Sequence, residues 1–494
     1  LNRLFFCFLL LTALLLPQKI TTPLEESNFK KLTSHAQVLD FIGKLPKTKA
    51  PFVTETIAVS AKGREIPVLK FSLKEFGTDP AKLKVLLFAQ QHGDEPSGKE
   101  GALMLIRDLV SGDLSPLLEK LDIAIVPMMN PDGNEGNRRR NGNGADLNRD
   151  HLLLLQPENQ GLHNFYNRYN FDVSMDVHEY SPYSESWMET GYIKNSDVTA
   201  GRLTNINTPE ALRNFSENEY LPFLAKYVRS AGFSYAEYTP GGPPEKEYIR
   251  HSTYDINDGR QGFGSLGTLS FIQEGKNGVD SVENIKTRSN SQKTGMTAYL
   301  KFMFDNAGKI KEMVQVEKKK IVEGSPEKVA IQMIHTGNGK KLEMHLLTMA
   351  TGKDTVVFVN DYRPVVKSVF DVVKPAGYLI PADDKELVNW ANRHKFIMTK
   401  YSPDKSDRIE EYMITKIDSM DFEGDIVINP GYSTATLTSK ELKGDYYLIT
   451  TRQSGGNVVV QALEPKSIIG LATYKYFDYL IKAGTKYPVL RLVK

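Results

Sequence analysis

Apolar residues in this chain fall into short unbroken runs separated by stretches with helical spacing. VLLFA (Val85 to Ala89) reads as a buried strand and GALMLIRDLV (Gly101 to Val110) as a helix. LDIAIVPMMN (Leu121 to Asn130), FDVSMDVHEY (Phe171 to Tyr180) and TLSFIQE (Thr268 to Glu274) read as further strands. Strands that alternate with helices predict an α/β domain, a central mixed and mostly parallel sheet flanked by helices on both faces. Glu25 to Lys49 predicts a helical lead-in. Ser289 to Gly324 predicts helix, and its charged end, KIKEMVQVEKKKIVEG, reads as a solvated face. From about Val329 the pattern changes to short β-rich runs (VAIQMIHT, KLEMHLLTM, DTVVFVND, DYYLITTR), with helices expected at Asp384 to His394 and Ile468 to Ala483. The boundary falls at SPEK, which gives a larger α/β domain over 21–325 and a smaller C-terminal α+β or β-rich domain over 326–494.

One apolar block stands outside this scheme. Leu4 to Leu16 follow Arg3, and the block is short for a membrane-spanning helix, which takes about 20 apolar residues. It predicts a signal peptide over residues 1–20, export to the periplasm or beyond the cell, and no stable membrane span after cleavage. The only cysteine, Cys7, lies inside it. A mature chain without cysteine has no disulfide and no thiolate ligand, so a transition metal would be held by His and carboxylate. The length of 494 residues exceeds one typical domain, and 40% hydrophobic with 25% charged residues is a globular composition. Lys plus Arg is 62 against 60 for Asp plus Glu, a balance that argues against a dedicated nucleic-acid binder.

Four places carry candidate chemistry. In AQQHGDEPSG, His92 and Glu95 stand three residues apart, between a strand and a helix. Ligand sites of open α/β sheets gather at the C-terminal ends of strands, so a loop here can aim an imidazole and a carboxylate at one point. His178 closes the run FDVSMDV in the same kind of position. A catalytic zinc takes three protein ligands and leaves a fourth position open, and His92, Glu95 and His178 would complete a His, Glu, His set. The loop NPDGNEGNRRRNGNGADLNRDH, Asn130 to His151, carries Arg138, Arg139, Arg140 and Arg149 among turn formers. Arginine offers a fork for carboxylates and a charge for an oxyanion. Glu274 ends the strand run GTLSFIQEG, an unusual place for a carboxylate unless it is paired or catalytic.

In this order and context, HGDE, NPDG…DLNR, His178 and Glu274 resemble the zinc metallocarboxypeptidase family of the carboxypeptidase A type, over about Phe52 to Gly308. The resemblance implies an exported bacterial member with a C-terminal extension domain, one Zn2+ ion, and a peptide substrate with a free C-terminal carboxylate. It implies that His92, Glu95 and His178 bind the zinc and that Asp146 orients His92. It further implies that Arg139 polarises the scissile carbonyl, Asn148 and Arg149 grip the substrate carboxylate, and Glu274 acts as general base and then general acid. Members carry a mobile tyrosine upstream of that glutamate; Tyr248 and Tyr254 are both candidates, and Tyr254 is placed with the substrate-binding residues. Side-chain selection is expected within DINDGRQGFG, where Asp255 or Asp258 would favour basic and Arg260 acidic residues. His151 is expected to be structural. Two other readings compete: a zinc amidohydrolase or deacylase of acyl-amino acids or cell-wall peptides, and an inactive peptide-binding protein on the same scaffold.

Overall fold

The computed structural model describes residues 20–46 and 50–493; the apolar block Leu4 to Leu16 and Cys7 lie outside them. Ten strands precede residue 280: β1 (Phe52–Val59), β2 (Glu65–Phe71), β3 (Leu83–Ala89), β4 (Leu121–Val126), β5 (Val173–Tyr180), β6 (Tyr192–Lys194), β7 (Val198–Gly201), β8 (Tyr235–Glu237), β9 (Ile249–Arg250) and β10 (Leu269–Lys276). Eight of them form one mixed sheet in the order β1-β2-β4-β3-β5-β10-β7-β8. The centre, β4-β3-β5-β10, is parallel throughout. The β1–β2 hairpin, β4 on its β2 side and β7 on β10 add antiparallel pairs.

The central runs lack alternation because both faces are covered. Leu83, Val85 and Leu87 of β3 face a core built with the helices Pro96–Ser111 and Ile285–Asp305, while Leu86 and Phe88 face one that includes Leu162, Phe165 and Tyr166 of the helix Pro157–Tyr169. From β3 the chain crosses to β4 on one side and later to β5 on the other. The strand order therefore reverses between the C-terminal ends of β3 and β5, the place where such sheets open a crevice.

The chain continues through β11 (Lys328–Thr336), β12 (Leu342–Thr348), β13 (Lys353–Val359), β14 (Tyr362–Arg363), β15 (Val365–Val373), β16 (Gly377–Pro381), β17 (Met398–Lys400), β18 (Arg408–Phe422), β19 (Asp425–Thr438), β20 (Tyr446–Thr450) and β21 (Leu490–Leu492). Six of these make a second sheet, β17-β20-β16-β21-β18-β19. The region is β-rich, and it is joined tightly to what precedes it. β12 pairs with β6, β14 pairs with β9, and Leu152, Tyr254 and Ile256 share one core with Trp390, Tyr412 and Val459. The helix expected at Asp384 to His394 forms at Lys385–Arg393. The one expected at Ile468 to Ala483 is instead two 3-10 turns, Leu471–Thr473 and Lys475–Leu480. Its apolar spacing is used to bury Leu471, Phe477 and Leu480 from a tighter winding. Among the described residues no helix is long and apolar enough to cross a membrane.

Candidate active site

The turn that leaves β3 is built to bring side chains together. Gln90 takes a left-handed conformation, and a Cβ on Gly93 would lie 2.0 Å from the Gly133 carbonyl carbon, so only glycine lets the two loops close on one another. Glu95 then caps the helix Pro96–Ser111 without making a side-chain cap bond. Its carboxylate is thereby free to turn to the histidines: Oε1 lies 2.7 Å from His92 Nδ1 and Oε2 lies 2.9 Å from His178 Nδ1. The two Nδ1 atoms are 3.1 Å apart. Ligands about 2.0–2.2 Å from a common centre adopt spacings of this order, so the three side chains fit one zinc ion. No other compact group of three His, Cys, Asp or Glu side chains occurs among the described residues.

Each imidazole is anchored at its other nitrogen. His92 Nε2 lies 3.0 Å from Asp146 Oδ1, as expected for that aspartate. His178 Nε2 lies 2.8 Å from Asp176 Oδ1, and Asp176 Oδ2 accepts from Gln91 Nε2 at 2.7 Å. Gln91 in turn is held by His151, which is bonded to His163 behind the site. A Cβ on Gly259 would meet Asp176 Oδ2 at 2.8 Å, so glycine is what leaves room for this network. The Asp176 role escaped the sequence reading, although D-V-H in a strand places Asp176 and His178 on one face.

Burial alone would favour neutral imidazoles here. The carboxylates of Glu95 and Asp146 outweigh it at His92, and those of Asp176 and Glu95 at His178, so both are pulled above the usual histidine range. Burial likewise opposes ionisation of Glu95 and Asp146, and the histidine charges hold both below the usual carboxylate range. A pocket that draws positive charge onto two buried histidines suits a divalent cation in its place. Loss of an orienting carboxylate typically weakens metal affinity by about 10–100-fold. Asp176→Asn is expected to do so by that order in chelator competition, with a change below about 3-fold for Asp94→Asn, whose side chain makes no hydrogen bond or ion pair with either histidine.

The arginines separate cleanly. Arg139 Nε donates to Asp146 Oδ2 at 2.9 Å, and its Nη1 stands 3.1 Å from His92 Nδ1, over the metal-competent group. Arg138 and Arg140 bond instead to the Asn141 and Gly144 carbonyls. Among the described residues Arg149 has one side-chain hydrogen bond, to the Asn148 carbonyl, and it lines the same cavity. The Asn148 amide oxygen accepts from Gly259 N and Gln91 Nε2, so its Nδ2 is the group left for a ligand. Glu274 pairs in register with His178 across β10 and β5. Burial pushes its carboxyl up to about 7; His178 opposes this and the Glu95 charge adds to it. Its odd FIQEGK setting has a packing reason. Gln273 and Gly275 point to the opposite face, where the Gln292 side chain bonds Gln273 and donates to the His178 carbonyl.

His92, Glu95, Arg139, Asn148, Arg149, His178 and Glu274 thus line one cavity of about 310 Å3, with Asp146 behind His92 and Arg139. Tyr254 is not there. It is 2% exposed, its hydroxyl donates to the Met333 carbonyl at 2.7 Å, and its ring packs on His335 and Phe422. The C-terminal region has absorbed it into a shared core, and it does not line this cavity. Tyr248 lies under Arg363 and does not line the cavity either. The tyrosines at the cavity are Tyr180, which ends β5, and Tyr238, just past the three-residue strand β8, too short a run to stand out in the sequence. In DINDGRQGFG, Asp258 and Arg260 both reach the cavity wall but pair with each other at 2.7 Å, and Asp255 does not line it.

Residues 39–237 match the family model for zinc carboxypeptidase, peptidase M14, a span that holds all three metal-competent side chains. The chain is 23% identical to Carboxypeptidase 2 of Trichophyton equinum over 449 residues, covering 88% of this chain and 81% of that one. It is 32% identical to Carboxypeptidase E of Caenorhabditis elegans over 150 residues, 26% of this chain and 32% of that one. Among solved structures it is similar to a carboxypeptidase A from Helicoverpa armigera, at 18% identity and a TM-score of 0.44 over 56% of this chain and 75% of the other. A metallo-carboxypeptidase from Burkholderia cenocepacia gives 20% identity and 0.40 over 55% and 68%. The span 39–237 is thus similar to the zinc carboxypeptidases, and it makes up less than half of the chain.

Proposed function

We propose that this protein removes single residues from the C-terminus of peptides, with Glu274 carrying the proton and Arg149 with Asn148 holding the terminal carboxylate. The observation that carries the reading is the shared cavity: a cation-binding triad, a buried carboxyl raised to about 7, and a guanidinium with an uncommitted donor fork. His92, Glu95 and His178 would hold the zinc, which supplies Lewis-acid polarisation of a carbonyl and a more acidic water. The substrate carboxylate docks on Arg149 and the Asn148 Nδ2, which fixes the last peptide bond relative to Glu274. Glu274 takes a proton from the attacking water as its oxygen bonds to the carbonyl carbon. Arg139, steadied by Asp146, stabilises the charge that develops on the carbonyl oxygen. Glu274 then gives the proton to the leaving nitrogen, and the carbon–nitrogen bond breaks.

Tyr238 takes the substrate-facing place expected of Tyr254. Because Asp258 and Arg260 cancel in the wall, we infer a preference for C-terminal side chains without a full charge. Residues 326–494 act as an accessory region that braces the clamp loop: Trp390 Nε1 donates to the Leu152 carbonyl and His394 bonds it too, three residues after Arg149. The apolar block Leu4 to Leu16 supports action outside the cytoplasm.

The test is a panel of peptides with free or amidated C-termini, and N-acyl-amino acids, with the products read by mass spectrometry. Stepwise release of C-terminal residues from free peptides is expected, with amidated peptides slower by at least about 100-fold, because the clamp loses its charged partner. Equal cleavage of amidated peptides would sink the exopeptidase reading. Turnover of acyl-amino acids alone would replace it with a deacylase, and zinc binding without any turnover would replace it with a binding protein. Arg149→Met is expected to raise KM for free peptides by about 10-fold or more.

A further inference from the structure

Gln91, the residue before His92, is fully buried, and its side-chain amide reaches both halves of the site. Its Nε2 donates to Asp176 Oδ2 at 2.7 Å, behind His178, and to Asn148 Oδ1 at 3.2 Å, in the clamp. Its Oε1 lies 2.8 Å from His151 Nε2, and His151 Nδ1 lies 3.0 Å from His163 Nε2. The backbone around this chain is cut to fit it. A Cβ on Gly259 would stand 3.1 Å from both Gln91 Nε2 and His151 Nε2, and one on Gly262 would stand 3.2 Å from His151 Cβ. Two glycines of the short helix Gly259–Gly264 thus leave the room that His151 occupies.

The direction of each proton in the chain follows from its acidic end. A carboxylate only accepts, so Asp176 draws the Gln91 Nε2 to its side and leaves Oε1 facing His151. His151 then carries its proton on Nε2, which makes its Nδ1 an acceptor for the Nε2–H of His163. Burial keeps both rings neutral: it holds His151 down to about 4 and His163 well below the usual histidine range, so each has one donor and one acceptor. At the other end Asp176 Oδ1 takes the Nε2–H of His178, and Nδ1 is the nitrogen left for a cation. Asn148 Oδ1 accepts from Gly259 N at 2.8 Å as well as from Gln91, and these two donors leave its Nδ2 for a ligand.

We propose that Gln91 is a positioning residue for both halves of the site: it aligns Asp176, and through it His178, for the cation, and it turns Asn148 towards the substrate carboxylate. His151, backed by His163, holds the amide in the one orientation that does both. The clamp half of the inference rests on the carboxypeptidase reading; the metal half does not. Outer partners of a metal-binding histidine fix its ring and tautomer, and one amide shared with the clamp ties that alignment to substrate binding. A flipped amide would set its oxygen against Asp176 Oδ2 and Asn148 Oδ1 and its NH2 against the proton on His151, so every link in the chain favours the same state.

The test is Gln91→Met, which keeps the length of the side chain and removes its amide. Chelator competition is expected to show zinc held about 10-fold more weakly, the lower end of what loss of an orienting partner does. At saturating zinc, KM for free peptides is expected to rise about 3–10-fold with kcat within about 2-fold, because the clamp holds ground state and transition state alike. In an Asn148→Ala background the KM effect should vanish and the zinc effect remain, a split that general loosening of the fold would not produce. His151→Phe keeps a ring beside Phe88 and Phe263 and removes the donor to Gln91 Oε1. It is expected to move both readouts the same way by about 2–5-fold, and it carries the test should Gln91→Met not fold. An effect on one readout alone, or a KM rise that persists in Asn148→Ala, overturns the proposal. Calorimetric titration of the zinc-loaded Glu274→Gln protein with free and amidated peptides separates the two readings. If that protein does not prefer the free carboxylate, the exopeptidase reading falls and takes the clamp half with it, while the zinc measurement still decides the metal half. If the preference is present and survives Gln91→Met undiminished, the exopeptidase reading stands and the clamp half is rejected.

Discussion

Glu274→Gln is expected to lower kcat/KM on free peptides by about 10^2–10^4-fold while zinc stays bound at one per chain. Glutamine keeps the size and a hydrogen-bonding oxygen but can neither take a proton from water nor return one to nitrogen. The side chain is paired in register with His178 without bonding it, so its loss leaves all three metal-competent groups in place. The pH profile should change with it. Burial raises the Glu274 carboxyl to about 7 in the metal-free chain, and a bound cation favours the ionised form, so its working value lies below 7. Only the ionised form accepts a proton. Activity of the wild type should therefore fall as pH drops through that lowered value, and the fall should be absent from the residual activity of Glu274→Gln. A loss below about 10-fold, or an acid limb that persists unchanged, would remove Glu274 from the proton path.

The site was legible because its parts end strands or begin loops. His92, His178 and Glu274 each break an apolar run, and a polar residue at the end of a buried strand has few structural uses. Asp146 and the choice of Arg139 over its neighbours needed the resemblance, and the geometry then separated Arg139 from Arg138 and Arg140 by where each side chain bonds. Tyr254 failed for a different reason. Sequence spacing to Glu274 says nothing about which loop residues a later region will cover, and here Met333 and Phe422 claim that tyrosine. Tyr238 and Asp176 were missed because one follows a strand of three residues and the other sits inside a strand with an apolar look. The large sheet was legible from its central runs, which are buried on both faces. β12 was legible as the run KLEMHLLTM, but β6 was not, because its three residues are half-buried and become a strand only by pairing with β12 far along the chain.

Removing the cation is expected to have the largest effect of all. Chelator-treated protein should lose essentially all peptidase activity and recover it with one equivalent of zinc. His178→Ala or Glu95→Ala should neither hold the metal stoichiometrically nor recover at that concentration, since a catalytic zinc site depends on each of its three protein ligands. Asp94→Asn is the matched control. Asp94 is Glu95's neighbour in sequence and lines the same cavity, yet among the described residues its side chain makes no hydrogen bond or ion pair with either histidine, whereas Glu95 bonds both. The metal-free protein should also differ in stability, in a direction the charges set. Zinc binds the folded triad and not the unfolded chain, so an excess of about 100 times Kd adds about 2.7 kcal/mol. Its removal returns two buried histidines to protons drawn by Glu95, Asp146 and Asp176. A group raised in the folded state stabilises below its unfolded value and ceases to as pH climbs past the folded one. The stability advantage of the zinc form over the metal-free form should therefore widen from pH 6 towards pH 8, as metal binding no longer displaces protons. Thermal unfolding with and without zinc across that range checks it, and a gap that narrows with pH would show that the cation is held elsewhere.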